Sequence, residues 1–112
     1  MAKPLYHPKR EQIELSAVLD ALSDPLRRDI VLELSDGSER NASWFCDRAS
    51  KTNLTYHIGR LREAGVTRTR IDGAQRMLSV RRDDLDARFP GLLNAVVSGA
   101  RAERARAPDT TD

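Results

Sequence analysis

Ser50-Lys51-Thr52-Asn53-Leu54-Thr55-Tyr56-His57-Ile58-Gly59-Arg60-Leu61-Arg62-Glu63-Ala64-Gly65-Val66 is the stretch that decides the fold. Leu54, Ile58 and Leu61 stand at i, i+4 and i+7, so the spacing predicts a helix from Ser50 to Ala64 with one apolar stripe. Gly65 falls just past the last turn, where a left-handed cap favours glycine. The opposite face carries Lys51, Thr52, Asn53, Thr55, Tyr56 and Arg60, and no acid before Glu63. A solvated helix face usually mixes both signs of charge. This one is polar, varied in chemistry and acid-free, as a face that meets a partner would be.

Working outward, Ser43–Arg48 has room only for a short helix, with Trp44 and Phe45 expected to face the core, and Ala49–Thr52 is a tight connector. Further upstream, Leu15, Val18, Leu19 and Leu22 recur at three and four within a helix from Gln12 to Leu22. Asp24-Pro25 reads as an N-cap followed by proline at the first helical position. Leu26, Ile30, Val31 and Leu34 make the buried stripe of the next helix, which Asp36-Gly37-Ser38 stops. Downstream, Val66–Ile71 and Arg76–Val80 flank Asp72-Gly73 and predict a β-hairpin. Asp83 is expected to cap a short helix through Phe89. Pro90 then opens a last helix holding Leu92, Leu93, Val96, Val97 and Ala100. The expected organisation is a loose arm over 1–10, one domain over 11–100 and a frayed or disordered tail over 101–112.

Composition narrows the class. The chain has 112 residues, 39% apolar and 32% charged, which suits one ordinary domain and argues against disorder. No apolar run approaches the roughly 20 residues of a membrane span, and the first residues do not resemble a secretory signal. A lone Cys46 precludes an intrachain disulfide and fits a reducing compartment. A soluble, cytoplasmic protein is expected. The charge is unevenly placed: residues 51–76 hold six Lys/Arg against two Asp/Glu, whereas residues 1–50 hold seven against nine. Basic charge concentrated in one short stretch suits a polyanionic partner.

Short helix, tight connector, polar-faced helix and basic hairpin form, in that order, a helix-turn-helix followed by a wing. The expected fold is mainly α with a small β-hairpin, a dimeric winged helix-turn-helix. The major groove of B-DNA admits one α-helix, whose outward residues reach base edges. Asn53 is suited to pair bidentately with adenine, and Lys51 or Arg60 to address guanine or a phosphate. Thr52, Thr55 and Tyr56 suit phosphates or thymine methyls, and His57 a phosphate. Arg70 and Arg76, beside the hairpin turn, are placed for an adjacent backbone or a minor groove. The expected partners are therefore double-stranded DNA and a second copy of the chain.

Ala21-Leu22-Ser23-Asp24-Pro25-Leu26-Arg27-Arg28 and the helix from Ser50 to Val66, with its Arg62-Glu63-Ala64-Gly65 ending, resemble the corresponding segments of ArsR-type (arsenic-repressor family) transcriptional regulators. The resemblance runs over about residues 12–97, with Asp72-Gly73 where the family's wing turns. It implies a winged homodimer that represses a promoter and releases it on an inducer signal. Metal sensors of that family carry a Cys-x-Cys pair on the short helix or Asp/His and Glu/His pairs on the last one. Here the short helix reads Trp44-Phe45-Cys46-Asp47 and the terminal helices contain no histidine. No metal site and no cofactor are expected, and the inducer, small molecule or protein, stays open.

Plainer roles account for several residues. Cys46 reads as a small buried hydrophobe, and His57 as partly buried against the core. Asp83, Asp84 and Asp86 read as helix-capping carboxylates rather than metal ligands. Cys46 and His57 are the sole nucleophile–base pair, with no third orienting group and no glycine-rich phosphate loop, so no enzyme is expected. The competing class is a winged-helix protein-interaction module without DNA binding. Such a module has no use for the outward face of Lys51, Asn53, Arg60, Arg70 and Arg76. The outermost helices each carry an apolar stripe, which places the dimer interface at Leu15, Leu19, Leu92, Leu93, Val96 and Val97.

Overall fold

The computed structural model describes residues 5–106. Its α-helices are α1 (Leu15–Ala21), α2 (Pro25–Leu34), α3 (Lys51–Glu63), α4 (Arg82–Arg88) and α5 (Leu92–Ala105). The strands are β1 (Arg40–Asn41), β2 (Thr67–Asp72) and β3 (Gln75–Val80), and 3-10 turns occupy Arg10–Gln12 and Ala42–Phe45. The strands form one antiparallel sheet in the order β1-β3-β2. Thr67 pairs with Val80 at the base of the hairpin and Asp72 with Gln75 at its tip.

Local chemistry explains why the helices start and stop where they do. The Asp24 carboxylate accepts from the Leu26 and Arg27 amides at 2.8 and 3.2 Å, and Pro25 fills the first helical position of α2. Two further side chains from this turn reach back to the C-terminal carbonyls of α1, which have no helical partners of their own. Arg27, itself buried, donates through Nε to Ala21 O at 2.6 Å, and Arg28 donates to Leu22 O at 3.0 Å. The α3 helix begins on Ser50, whose hydroxyl accepts from the Asn53 amide. It ends in a Schellman motif: Val66 N–H donates to Leu61 O and Gly65 N–H to Arg62 O, with Gly65 at φ 85°.

The core is one cluster that draws on every helix and on the sheet. Ile30 and Leu34 of α2, Phe45, Leu61 of α3, Leu78 of β3, Leu85 of α4 and Leu93 of α5 are all fully buried in it. Burial also sorts the hairpin. Thr67, Thr69 and Leu78 face inward near its base, while Arg70, Ile71, Asp72, Gln75 and Arg76 at the tip stand in solvent. The hairpin tip is a projecting wing.

Several expectations are corrected. The helix predicted from Gln12 to Leu22 is interrupted, because Ile13 turns extended and drives its side chain under Gly65; α1 begins only at Leu15. Trp44 does not face the core: it lies outside, 53% exposed, with the Arg40 guanidinium 4.3 Å from its ring centroid, while Phe45 alone turns in. Cys46 is exposed, not buried. Arg81, not Asp83, precedes α4, and α5 opens after Gly91 at φ 83° rather than at Pro90. Leu93 and Val97 belong to the core of the single chain, which removes them from the outward stripe.

The two ends of the described chain are more ordered than their composition suggests. Residues 5–9, expected as part of a loose arm, lie against the base of the wing. His7 Nε2 accepts from the Thr69 amide at 3.0 Å, and Arg81 donates to Pro8 O at 2.7 Å. The α5 helix continues through Arg101–Ala105, where a frayed tail was expected, and pairs with α2 through Arg104–Asp29 at 2.9 Å. The remainder of the expected arm, 1–4, and of the expected tail, 107–112, lies outside the described residues.

Candidate nucleic-acid interface

The 3-10 turn at Ala42–Phe45, the connector and α3 place the polar helix on the surface with its apolar stripe inward. Leu54, Ile58 and Leu61 are buried; Lys51, Thr52, Asn53, Thr55 and Tyr56 are exposed. The last five residues therefore share one outward face in the structure, as their spacing implies. His57 is different. It is half-buried, and its Nδ1 lies 3.1 Å from Arg27 Nη1. Because a guanidinium can only donate, His57 accepts at Nδ1 and carries its ring proton on Nε2. Arg27 thus bridges the end of α1 to the middle of α3, and His57 takes part in orienting the helix.

Two basic residues of the expected set are already engaged by carboxylates. Arg60 pairs with Asp20 of α1. Arg70 makes a bidentate pair with Glu39, at 2.7 and 3.0 Å, and lies 3.8 Å from Asp72. The pairing is mutual: the hydrogen bond from Arg70 holds the Glu39 carboxyl below the usual carboxylate range, and Glu39 raises the Arg70 value. These partners lie 40 and 31 residues away in sequence, where no spacing rule could reveal them. By contrast, among the described residues no carboxylate lies within ion-pair distance of Lys51 or Arg76.

The turn that presents Arg76 is a two-residue loop, Gly73-Ala74, with φ 61° at Gly73 and no positive φ at Ala74. Glycine first in the loop is the type II′ pattern, whose twist matches that of the flanking strands. Between this wing and α3 lies a cleft of about 750 Å³. Its walls include Lys51, Thr55 and Arg76 from the expected set, together with Arg62, Gly59 and Thr69, which lie outside that set. Arg62 follows the apolar positions of α3 by one residue and has no distinguishing spacing; its Nε donates to Tyr6 O at 3.2 Å. Among the described residues no three His, Cys, Asp or Glu side chains gather in a way that could hold a metal ion. No helix among them is long and apolar enough to cross a membrane.

A half-buried helix presenting an acid-free polar face, with a basic β-wing beside it, defines a winged helix-turn-helix protein. Residues 22–70 match the model of the helix-turn-helix domain. An uncharacterized HTH-type transcriptional regulator of Bacillus subtilis (strain 168), YceK, is 34% identical over 82 residues, which cover 70% of this chain and 82% of the relative. The crystal structure of an ArsR family transcriptional regulator superposes with a TM-score of 0.59 at 22% identity, over 81% of this chain and 96% of the other, and shares the fold. The chain belongs to the HTH-type transcriptional regulators, a class of DNA-binding proteins.

Proposed function

We propose that the chain is a sequence-specific repressor that binds a near-palindromic operator as a homodimer. In this reading α3 enters the major groove and the wing lies on the backbone or in the adjacent minor groove. Lys51, Asn53 and Thr55 reach base edges or thymine methyls, while Thr52, Tyr56, His57, Arg60, Arg70 and Arg76 hold the backbone. The observation that carries it is the exposed, acid-free face of α3, which includes Lys51, beside Arg76 of the wing; among the described residues neither cation has a carboxylate partner. Phosphates would supply that partner.

The dimer is proposed to form through α1 and α5. Leu15 and Leu19 stand 45% and 48% exposed on α1, and Leu92 and Val96 are half-buried on α5. Two-fold pairing would present two copies of α3 at successive major grooves, about 34–36 Å apart. The protein would work where the chromosome is, in the cytoplasm, and yield its operator to an inducer.

A DNA titration tests the reading. Fragments selected from the source genome are bound at rising salt, and log Kd is expected to climb linearly with log salt as counterions are released. Affinity that is flat between low and moderate ionic strength would refute it.

A further inference from the structure

We infer that the cleft between α3 and the wing binds a small amphipathic organic anion, a carboxylate on an apolar body, and that its occupancy competes with DNA. The competition rests on the functional reading above; the binding does not. The cleft measures about 750 Å³, within the roughly 300–1,000 Å³ of small-molecule sites. Ala42, Leu54, Ile58 and Ala74 give it an apolar lining. Among the described residues three cations, Lys51, Arg62 and Arg76, stand around it, and no aspartate or glutamate lines it. Thr69 is 5% exposed, borders the cleft, and its hydroxyl has no hydrogen-bond partner among the described residues. A buried hydroxyl without a partner carries a desolvation cost that a bound polar group would relieve.

The α3 helix is open at this point. A Cβ added at Gly59 would meet only Arg62 Nη2, at 3.9 Å. Glycine is a poor helix former, and here it leaves the wall of the cleft bare. Arg62 uses its Nε on Tyr6 O, so its Nη groups remain to grip a carboxylate, an interaction suited to guanidinium geometry. A bare phosphate would satisfy the cations and leave the apolar lining wet. An alkyl or aryl carboxylate satisfies both. Lys51, Thr55 and Arg76 belong at once to the cleft and to the proposed DNA face. A ligand that neutralises them removes phosphate contacts directly, without a change of fold.

The test begins without DNA. The aromatic anion 8-anilinonaphthalene-1-sulfonate is titrated into the protein and then displaced with octanoate, octanol or inorganic phosphate. Saturation at one probe per chain is expected, with octanoate displacing it at concentrations at least about tenfold below octanol. Arg62→Gln should weaken the probe about tenfold. Gly59→Leu should fill the cleft and abolish binding with the helical circular dichroism retained. Octanoate should then weaken DNA binding by wild type and not by Gly59→Leu.

Equal displacement by octanol, or displacement by phosphate alone, would overturn the inference. So would full probe binding by both variants, or an occupied cleft that leaves DNA affinity unchanged. Ligand-free wild type that bound no DNA would sink the functional reading instead, while the probe titration would still decide the cleft.

Discussion

Asn53 and Arg76 are both exposed and polar, yet they are expected to fail differently when removed. Asn53 presents an amide that can pair with one base, so Asn53→Ala should lose about 1–3 kcal/mol on the preferred operator and relax discrimination at one position. Arg76 presents a charge with no carboxylate partner among the described residues, so Arg76→Ala should weaken all sequences alike and flatten the salt slope by about one. Titrating both variants against operator and scrambled DNA at several salt concentrations separates the two effects. Loss of sequence preference in Arg76→Ala would exchange their roles. At this scale the sequence was informative for α3, because the exposed set follows from helical spacing alone. It was silent about Arg60 and Arg70, whose carboxylates Asp20 and Glu39 arrive from distant segments.

The end of α3 and the N-terminal segment show how elements are locked together. Gly65 adopts φ 85°, and a Cβ there would lie 2.6 Å from Ile13 Cγ1. Gly65→Ala therefore combines a left-handed backbone penalty with overpacking, and should cost about 2–4 kcal/mol in chemical denaturation. The second lock is pH-sensitive. Burial lowers the His7 value below 6.5, more than the hydrogen bond to Leu5 O raises it, and Arg62, Arg68 and Arg81 add repulsion. A proton on Nε2 would also break the bond from the Thr69 amide. The unfolded chain thus takes up this proton more readily than the folded one, so stability rises with pH across the window. The contribution is complete above about pH 6.5 and falls away as pH drops below that value. Thermal melts between pH 7.5 and 5 should show the loss, and amide exchange at Thr69 should accelerate with it. A variant His7→Gln with the same decline would remove His7 as the cause. Asp24 and Asp84 act lower down: burial alone would raise both, but the Leu26 and Arg27 amides for one, and Arg10 and Arg81 for the other, hold them below the usual carboxylate value. Their contribution is present above about pH 4 and is lost in acid.

For the whole molecule, the outward stripe of α1 and the inward stripe of α5 make opposite predictions. Leu19 is half exposed, so Leu19→Glu should leave the fold intact while placing an unpaired carboxylate in the proposed dimer contact. Sedimentation should then give a folded monomer whose operator affinity has dropped steeply, because the second copy no longer adds its contacts by proximity. Leu93 is 1% exposed within the single chain, so Leu93→Glu should cost several kcal/mol and unfold the protein outright. A Leu19→Glu variant that remains a dimer and binds normally would place the interface elsewhere.

The existence of the helices, the cap at Asp24, the cap at Gly65, the hairpin and the polar face of α3 were legible in the sequence by itself, whereas the starts of α1, α4 and α5 and the exact turn at Gly73-Ala74 were not. Each legible feature depends on residues a few positions apart, where backbone geometry dictates which side chains meet. The two-residue strand β1 was not legible, since a pair of residues carries no periodicity and Arg40–Asn41 becomes a strand only by pairing with Leu78 and Met77. Nor could composition show that residues 5–9 lie on the wing, that Trp44 and Cys46 face solvent, or that Ile13 breaks its helix to fill the space under Gly65. Those outcomes were decided by tertiary structure. A buried side chain, an ion pair or a cleft is a relation between segments that only the folded core brings together, and local spacing holds no record of it.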